Sequence, residues 1–318
     1  MKKILTLIVI VAVMALSACS GSNKASSDKS QDITVGVSLL TESHPFQIAI
    51  KDAIQKEAKS EKVNVDVQIA DQDLNRQISA VEDFINKGVD AIILTPVDSD
   101  GVKGAILKAN DANIPVITVD VKANGGQVAS HIATDNYTGG MIAAEAMAKY
   151  LGDKGEVGLT TYPEVQSVRD RIDGFKANIK NHPNVKIVAE LPGRTREEAK
   201  KASEDMLTGH TSLNGIFGFG DDMAIAATAA ISERNVKGTV IGFDGLEEAR
   251  KSVDKDNAFQ AVVVQFPDKM GKIAVQNAVK VVKGEKVEKQ VPITPGLYVH
   301  GKGFVDVKVN DGKVTIAE

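Results

Sequence analysis

Residues 33–96 read ITVGVSLLTESHPFQIAIKDAIQKEAKSEKVNVDVQIADQDLNRQISAVEDFINKGVDAIILTP, and the fold follows from this stretch. Three apolar runs, ITVGVSLL at 33–40, VNVDVQIA at 63–70 and DAIILTP at 90–96, have the length and β-branched content of strands. Between the first two, Phe46, Ile50, Ile54 and Ala58 recur every four residues. Between the second and third, Leu74, Ile78, Val81 and Ile85 follow at four, three and four. Each set lies on one face of a helix. Pro45 near the start of the first helix and Gly88 just past the end of the second are the expected punctuation. Strands alternating with helices in this way build a parallel sheet covered by helices, an α/β architecture.

The pattern continues outward. PVITVD at 115–120, EVGLTTY at 156–162, KIVAEL at 186–191, GIFGFG at 215–220, TVIGFD at 239–244 and FQAVVVQ at 259–265 read as strands, with a short HIAT strand at 131–134. Val168, Ile172, Phe175 and Ile179 mark another helix, and Pro267–Val282 a further one, followed by the polar loop KGEK. About nine strands exceed what one sheet takes in so short a chain. Two doubly wound, Rossmann-like lobes are expected, with the break near Ala133–Tyr137. The end differs in kind: Phe304–Val309 and Lys313–Ala317 alternate around Asn310-Asp311-Gly312, the pattern of a β-hairpin.

The 318 residues are 43% hydrophobic and 25% charged, which excludes a disordered chain and a multi-span membrane protein. A formal net charge of −4 offers no basic field for nucleic acid. At the start, Lys2 and Lys3 precede an apolar run from Ile4 to Leu16, the layout of a secretory leader and too short to span a bilayer. The sole cysteine ends it in Leu16-Ser17-Ala18-Cys19, which resembles the bacterial lipobox. Residues 1–18 are therefore expected to be a lipoprotein signal peptide and Cys19 the lipidated N-terminus. Removing two lysines and no acid takes the charge from −4 to −6. The Ser-rich stretch from Ser20 makes residues 19–31 a flexible tether. The protein is expected at the extracytoplasmic face of the cell membrane, held by lipid.

The sequence carries no catalytic constellation. His44, His131, His182, His210 and His300 share no short spacing, and no metal motif, GxSxG elbow, Walker loop or GxGxxG turn is present. No cofactor and no metal are expected. Polar residues at the carboxyl ends of apolar strands are more informative, because ligands bind at that edge of open α/β sheets. Asp120, Asp221, Asp244 and Gln265 stand there. Strand-end aspartates are also common helix N-caps, and Asp221, opening Asp-Asp-Met-Ala, is read as one. Carboxylates, amides and guanidinium groups suit a neutral polyhydroxylated ligand, since each pairs with adjacent hydroxyls. Arg169 and Arg171 begin a helix near a strand end. Phe46 at the mouth of the first lobe either covers a sugar ring or belongs to the core stripe with Ile50 and Ile54.

These residues resemble the periplasmic ribose-binding group of ABC-transporter substrate-binding proteins. The likeness runs from Ile33 to about Val291, through HPF at 44–46, KDAIQKEA at 51–58, TPVDSD at 95–100 and ANIPVITVD at 112–120. It continues in SHIATDN at 130–136, VRDRIDGF at 168–175, DDMAIAA at 221–227, IGFDG at 241–245, QFPDKMG at 265–271 and VKGEKV at 282–287. The resemblance implies the type I periplasmic binding protein fold, two lobes joined by three crossings and closing on a sugar. It implies a first lobe of residues 32–134 plus 266–294 and a second of 135–265 plus 295–318. The crossings would lie near Ala133–Asn136, Gln265–Pro267 and Thr294–Pro295. The ligand-binding residues it implies are His44, Phe46, Asp120, Arg169, Asp244 and Gln265. Departures accompany the match: Val121 replaces an arginine, Gly220 an asparagine and Gln47 a second phenylalanine, and a phenylalanine near Pro192–Arg194 is lost.

The implied function is a monomeric, lipid-anchored receptor that captures a monosaccharide or related polyol and delivers it to an ABC permease, without catalysis. A receptor for a furanose signal or another small polar ligand stays open within the class. A sugar-responsive repressor would need a basic helix-turn-helix where this chain has a leader, and an enzyme would turn its sugar over.

Overall fold

The computed structural model describes residues 33–310 and 312–317. The expected signal peptide, Cys19 and the expected tether lie outside the described residues. The first part of the chain alternates β1 (Thr34–Leu39), α1 (Pro45–Glu61), β2 (Asn64–Ile69), α2 (Leu74–Lys87), β3 (Ala91–Leu94), α3 (Lys103–Asp111), β4 (Val116–Val119) and β5 (Val128–Thr134). Asp73 caps α2 by accepting from the Asn75 and Arg76 amides, and Gly88 ends it in the left-handed region. These five strands and β11 (Gln290–Ile293) form a parallel sheet in the order β11-β5-β4-β3-β1-β2. The switch of order beside β1 is the point at which such sheets open a crevice.

Both faces of this sheet are covered, which explains its continuous apolar strands. On β3, Ala91 and Ile93 join a core with Ile50 and Ile54 of α1 and Met270 and Ala274 of α9 (Pro267–Val282). Ile92 and Leu94, facing the other way, pack with Phe84 of α2 and Ile106 of α3.

After β5 the chain enters a second sheet through α4 (Asn136–Leu151), β6 (Gly155–Thr161), α5 (Gln166–Ile179), β7 (Val185–Pro192), α6 (Arg196–Gly209), β8 (Leu213–Phe217), α7 (Asp221–Glu233), β9 (Thr239–Asp244), α8 (Glu247–Lys255) and β10 (Phe259–Val264). α9 then returns to the first sheet, and β12 (Gly296–Val299) and β13 (Gly303–Val305) rejoin the second. Its order is β13-β12-β10-β9-β8-β6-β7, antiparallel only at β12 and β13. Ile241, Phe243 and Val263 face α4 and α5, while Val240 and Val262 face α6, α7 and α8. The two-lobed α/β expectation holds, with two differences at the end of the chain. β11 and β12 add strands that the sequence pattern does not signal, and Phe304 belongs to β13 paired with β12. The hairpin proper is β14 (Val307–Asn310) against β15 (Lys313–Ile316).

One crossing positions the site. A Cβ on Gly140 would stand 2.0 Å from the Arg171 carbonyl oxygen, and one on Gly174 would stand 2.0 Å from that of Tyr137. Helices α4 and α5 therefore meet backbone to backbone, and no larger residue fits at either position. No described helix is long and apolar enough to cross a membrane.

Candidate functional site

Both sheets present the carboxyl ends of their parallel strands to one cavity of about 70 Å³. That is above the roughly 10–15 Å³ a cavity needs to hold a single water, so it is large enough to hold ordered waters. From the first sheet come the start of α1, with His44, Phe46 and Gln47, and the end of β4, with Asp120 and Val121. From the second come Tyr162, Arg171, Phe219 to Met223 and Asp244.

Asp120 follows β4 with φ 64°, in the left-handed region, and its amide donates to the Ile132 carbonyl at 2.8 Å. No helix follows, so it caps nothing. Its Oδ2 accepts from the Gln47 amide at 2.7 Å, while Oδ1 and the Gln47 Oε1 are buried and unpartnered. Burial pushes the Asp120 carboxyl up to about 6; the positive charge of Arg171 opposes the shift and Asp244 adds to it.

Asp244 closes β9 and is the hub of the second edge. It accepts from Arg171 at 3.2 Å and from Gln265 at 2.6 Å through Oδ1, and from the Asp221 amide at 3.3 Å through Oδ2. Arg171 is 4% exposed, lies over the Phe243 ring at 3.8 Å, and donates to Asn136 Oδ1 at 2.8 Å and to the Phe219 carbonyl. Burial raises the Asp244 carboxyl above the usual carboxylate range, and Arg171 holds the shift back.

Asp221 is not the helix cap expected from its sequence. The cap position of α7 is Gly220, and the Asp221 carboxylate accepts from the amides of Gly245 at 2.9 Å and Leu246 at 2.8 Å. It pins the loop after β9, where its two oxygens supply acceptors for the amides that lead into α8.

Of the six residues expected at a ligand, His44, Phe46, Asp120 and Asp244 line the cavity, and Gln265 stands behind Asp244. Phe46 is buried in the core with Ile50 and Ile54 and also forms cavity wall. Arg169 is not brought to the cavity. It turns to Gln166 Oε1 and the Pro163 carbonyl, and its Nη2 lies 3.5 Å from Asp100 across the cleft rim. The arginine at the cavity is Arg171. The helical stripe could have shown this, because position 171 lies between Val168 and Phe175 on the buried face of α5, and position 169 does not. Gln47, named in the sequence only as a departure from the family pattern, lines the cavity, and Asn136, which the sequence did not single out, holds Arg171 from outside it.

Around the rim the two edges touch directly. His44 Nε2 lies 2.9 Å from the Arg194 carbonyl oxygen. The Ser99 amide donates to the Glu164 carbonyl at 3.2 Å, the Gln166 amide to Ser99 Oγ at 3.0 Å, and Asn124 to Gln166 Oε1 at 3.3 Å. Among the described residues no group of three or more His, Cys, Asp or Glu is placed to hold a metal ion.

The pattern of the periplasmic binding protein domain family matches residues 35–286. The chain is 34% identical to the ribose import binding protein of Bacillus subtilis (strain 168), covering 92% of this chain and 97% of that one. A solved ABC transporter solute binding protein from Mycobacterium smegmatis, with bound glycerol, superposes with a TM-score of 0.81 at 32% identity, over 85% of this chain and 95% of that one. An ABC transporter periplasmic solute binding protein from Actinobacillus succinogenes 130z, with bound D-allose, gives 0.79 at 28%, over 84% and 97%.

Proposed function

Because the chain belongs to the periplasmic binding protein domain family, we propose that it is the substrate-binding component of an ABC importer for a monosaccharide or small polyol. One observation carries the reading: Asp120 from the first sheet and Asp244 from the second meet in one cavity walled by Phe46, Tyr162 and Phe219. Carboxylate oxygens pair with hydroxyl donors, and aromatic faces cover the apolar side of a sugar ring. Glycerol and D-allose in the related structures are ligands of this chemistry.

Binding draws the two edges together, and the permease recognises the closed form. The lobes take residues 32–134 plus 266–294 and 135–265 plus 295–318. His44, Phe46, Asp120, Asp244 and Gln265 serve the ligand, with Arg171 in the place first given to Arg169. The protein works as a monomer without catalysis or cofactor, tethered through lipid on Cys19 at the extracytoplasmic membrane face.

The test is a thermal-shift screen of pentoses, hexoses and polyols, followed by calorimetry on the best ligand and recovery of that ligand after prolonged incubation. One-site binding with the ligand returned intact supports the reading. No binding across the panel, or turnover, overturns it.

A further inference from the structure

Two residues that line the cavity, Gln47 and Asp120, each carry a buried acceptor with no donor to meet it. The Gln47 amide is committed: its Nε2 donates to Asp120 Oδ2 at 2.7 Å, and the reverse orientation would set an amide oxygen against a carboxylate. That commitment turns Oε1 away from Asp120. Gln47 Oε1 and Asp120 Oδ1 are both buried without a partner, on side chains 4% and 5% exposed. No neighbour supplies the missing hydrogens. Val121 is apolar, and the Arg171 bonds run from Nε to Asn136 and from Nη1 to Phe219 and Asp244, none of them reaching Gln47 Oε1 or Asp120 Oδ1. A buried acceptor left unpaired is costly, and native proteins rarely keep two on adjacent side chains.

Resting on the receptor reading above, we propose that Gln47 determines specificity. With Asp120 it forms a two-acceptor clamp that reads a pair of adjacent hydroxyl groups on the ligand. Each hydroxyl donates once, to Gln47 Oε1 and to Asp120 Oδ1, and keeps its lone pairs for other partners. The clamp selects a neutral polyol or sugar with a free vicinal diol at this end. A carboxylate or phosphate there brings no hydrogen and adds charge beside Asp120, Asp221 and Asp244. A deoxy position leaves one acceptor unpaired. Sites built to hydrogen-bond a hydroxyl reject the analogue that lacks it far more strongly than apolar pockets discriminate by size.

The test uses xylitol, D-ribose, D-allose, L-arabinose and myo-inositol, with D-glucuronate and D-ribose 5-phosphate as acidic counterparts and monodeoxy forms of the tightest binder. Gln47→Met keeps the length of the side chain and removes the acceptor; near-ultraviolet circular dichroism checks that it folds. The wild type is expected to bind a neutral member and to lose at least tenfold for one deoxy form. Gln47→Met is expected to bind the parent at least tenfold more weakly and to lose less than threefold on the same deoxygenation. Equal affinity of wild type and Gln47→Met, or acidic ligands bound as tightly as neutral ones, overturns the clamp and leaves the receptor reading standing. If none of the neutral members shifts the melting of the wild type, the receptor reading fails and the clamp fails with it.

Discussion

The Arg171–Asp244 pair allows the sharpest test of how the site is built. Arg171 is nearly inaccessible, its side-chain exposure 5% against 14% for Asp244, and it holds Asn136, Phe219 and Asp244 together while lying on Phe243. Arg171→Met keeps much of the hydrocarbon volume but removes every one of those donors. Asp244 is then left with only Gln265 and the Asp221 amide as partners. Breaking a buried pair by deleting one partner costs about 3–5 kcal/mol, because the surviving charge stays desolvated. At roughly 2–4 °C per kcal/mol for a chain of this size, melting should fall by roughly 6–20 °C. The double variant Arg171→Met/Asp244→Asn removes the stranded charge and should recover a large part of the loss. Urea titration and calorimetry of the ligand-free protein measure both. An Arg171→Met protein within about 1 kcal/mol of wild type would show that the pair does not organise the second edge.

Three further outcomes follow from the same geometry. With its carboxyl raised to about 6, folded Asp120 holds a proton between about pH 4 and 6 that the unfolded chain has released, so its contribution to stability falls as pH rises through that window. Ligand-free Asp120→Asn should be more stable than wild type at pH 7.5 and lose most of that advantage at pH 4, as parallel urea melts would show; an unchanged gap would refute the assignment. Arg169→Ala removes the rim pair with Asp100, worth about 0.2–1 kcal/mol, and local bonds to Gln166 and Pro163 outside the cavity, so melting should fall far less than in Arg171→Met and ligand affinity should barely move. Cys19→Ala should release the protein from membranes on cell fractionation, since stable anchoring needs the acyl chains that the thiol would carry.

Most of the fold could be read without coordinates. Strands such as AIIL at 91–94 are buried on both faces and so appear as unbroken apolar runs, and α2 announces itself through Asp73, its apolar stripe and Gly88. Patterns of this kind are local, because burial on a known face requires only a period. β11 and β12 lacked such a signal: QVPI carries a proline, GLYV spans four residues, and both are strands through their pairing with β5 and β10.

The site divides along the same line. Sequence alone placed carboxylates at strand ends, because a strand that stops at a polar residue delivers it to the sheet edge. Only the tertiary structure decided what each one does. Asp221 became a pin for a loop 24 residues further along the chain. Asp120 pairs with Gln47 from 73 residues away, which is why a glutamine beside an apolar helix stripe is buried at the cavity wall. Positions 169 and 171 differ by about 200° around α5. Their roles were set where Gly140 and Gly174 let α4 and α5 touch, turning Arg171 inward to Asp244 and leaving Arg169 at the rim. Periodicity specifies a face, whereas a hydrogen-bond partner is specified by distance, and the distances exist only once the sheets and helices have packed.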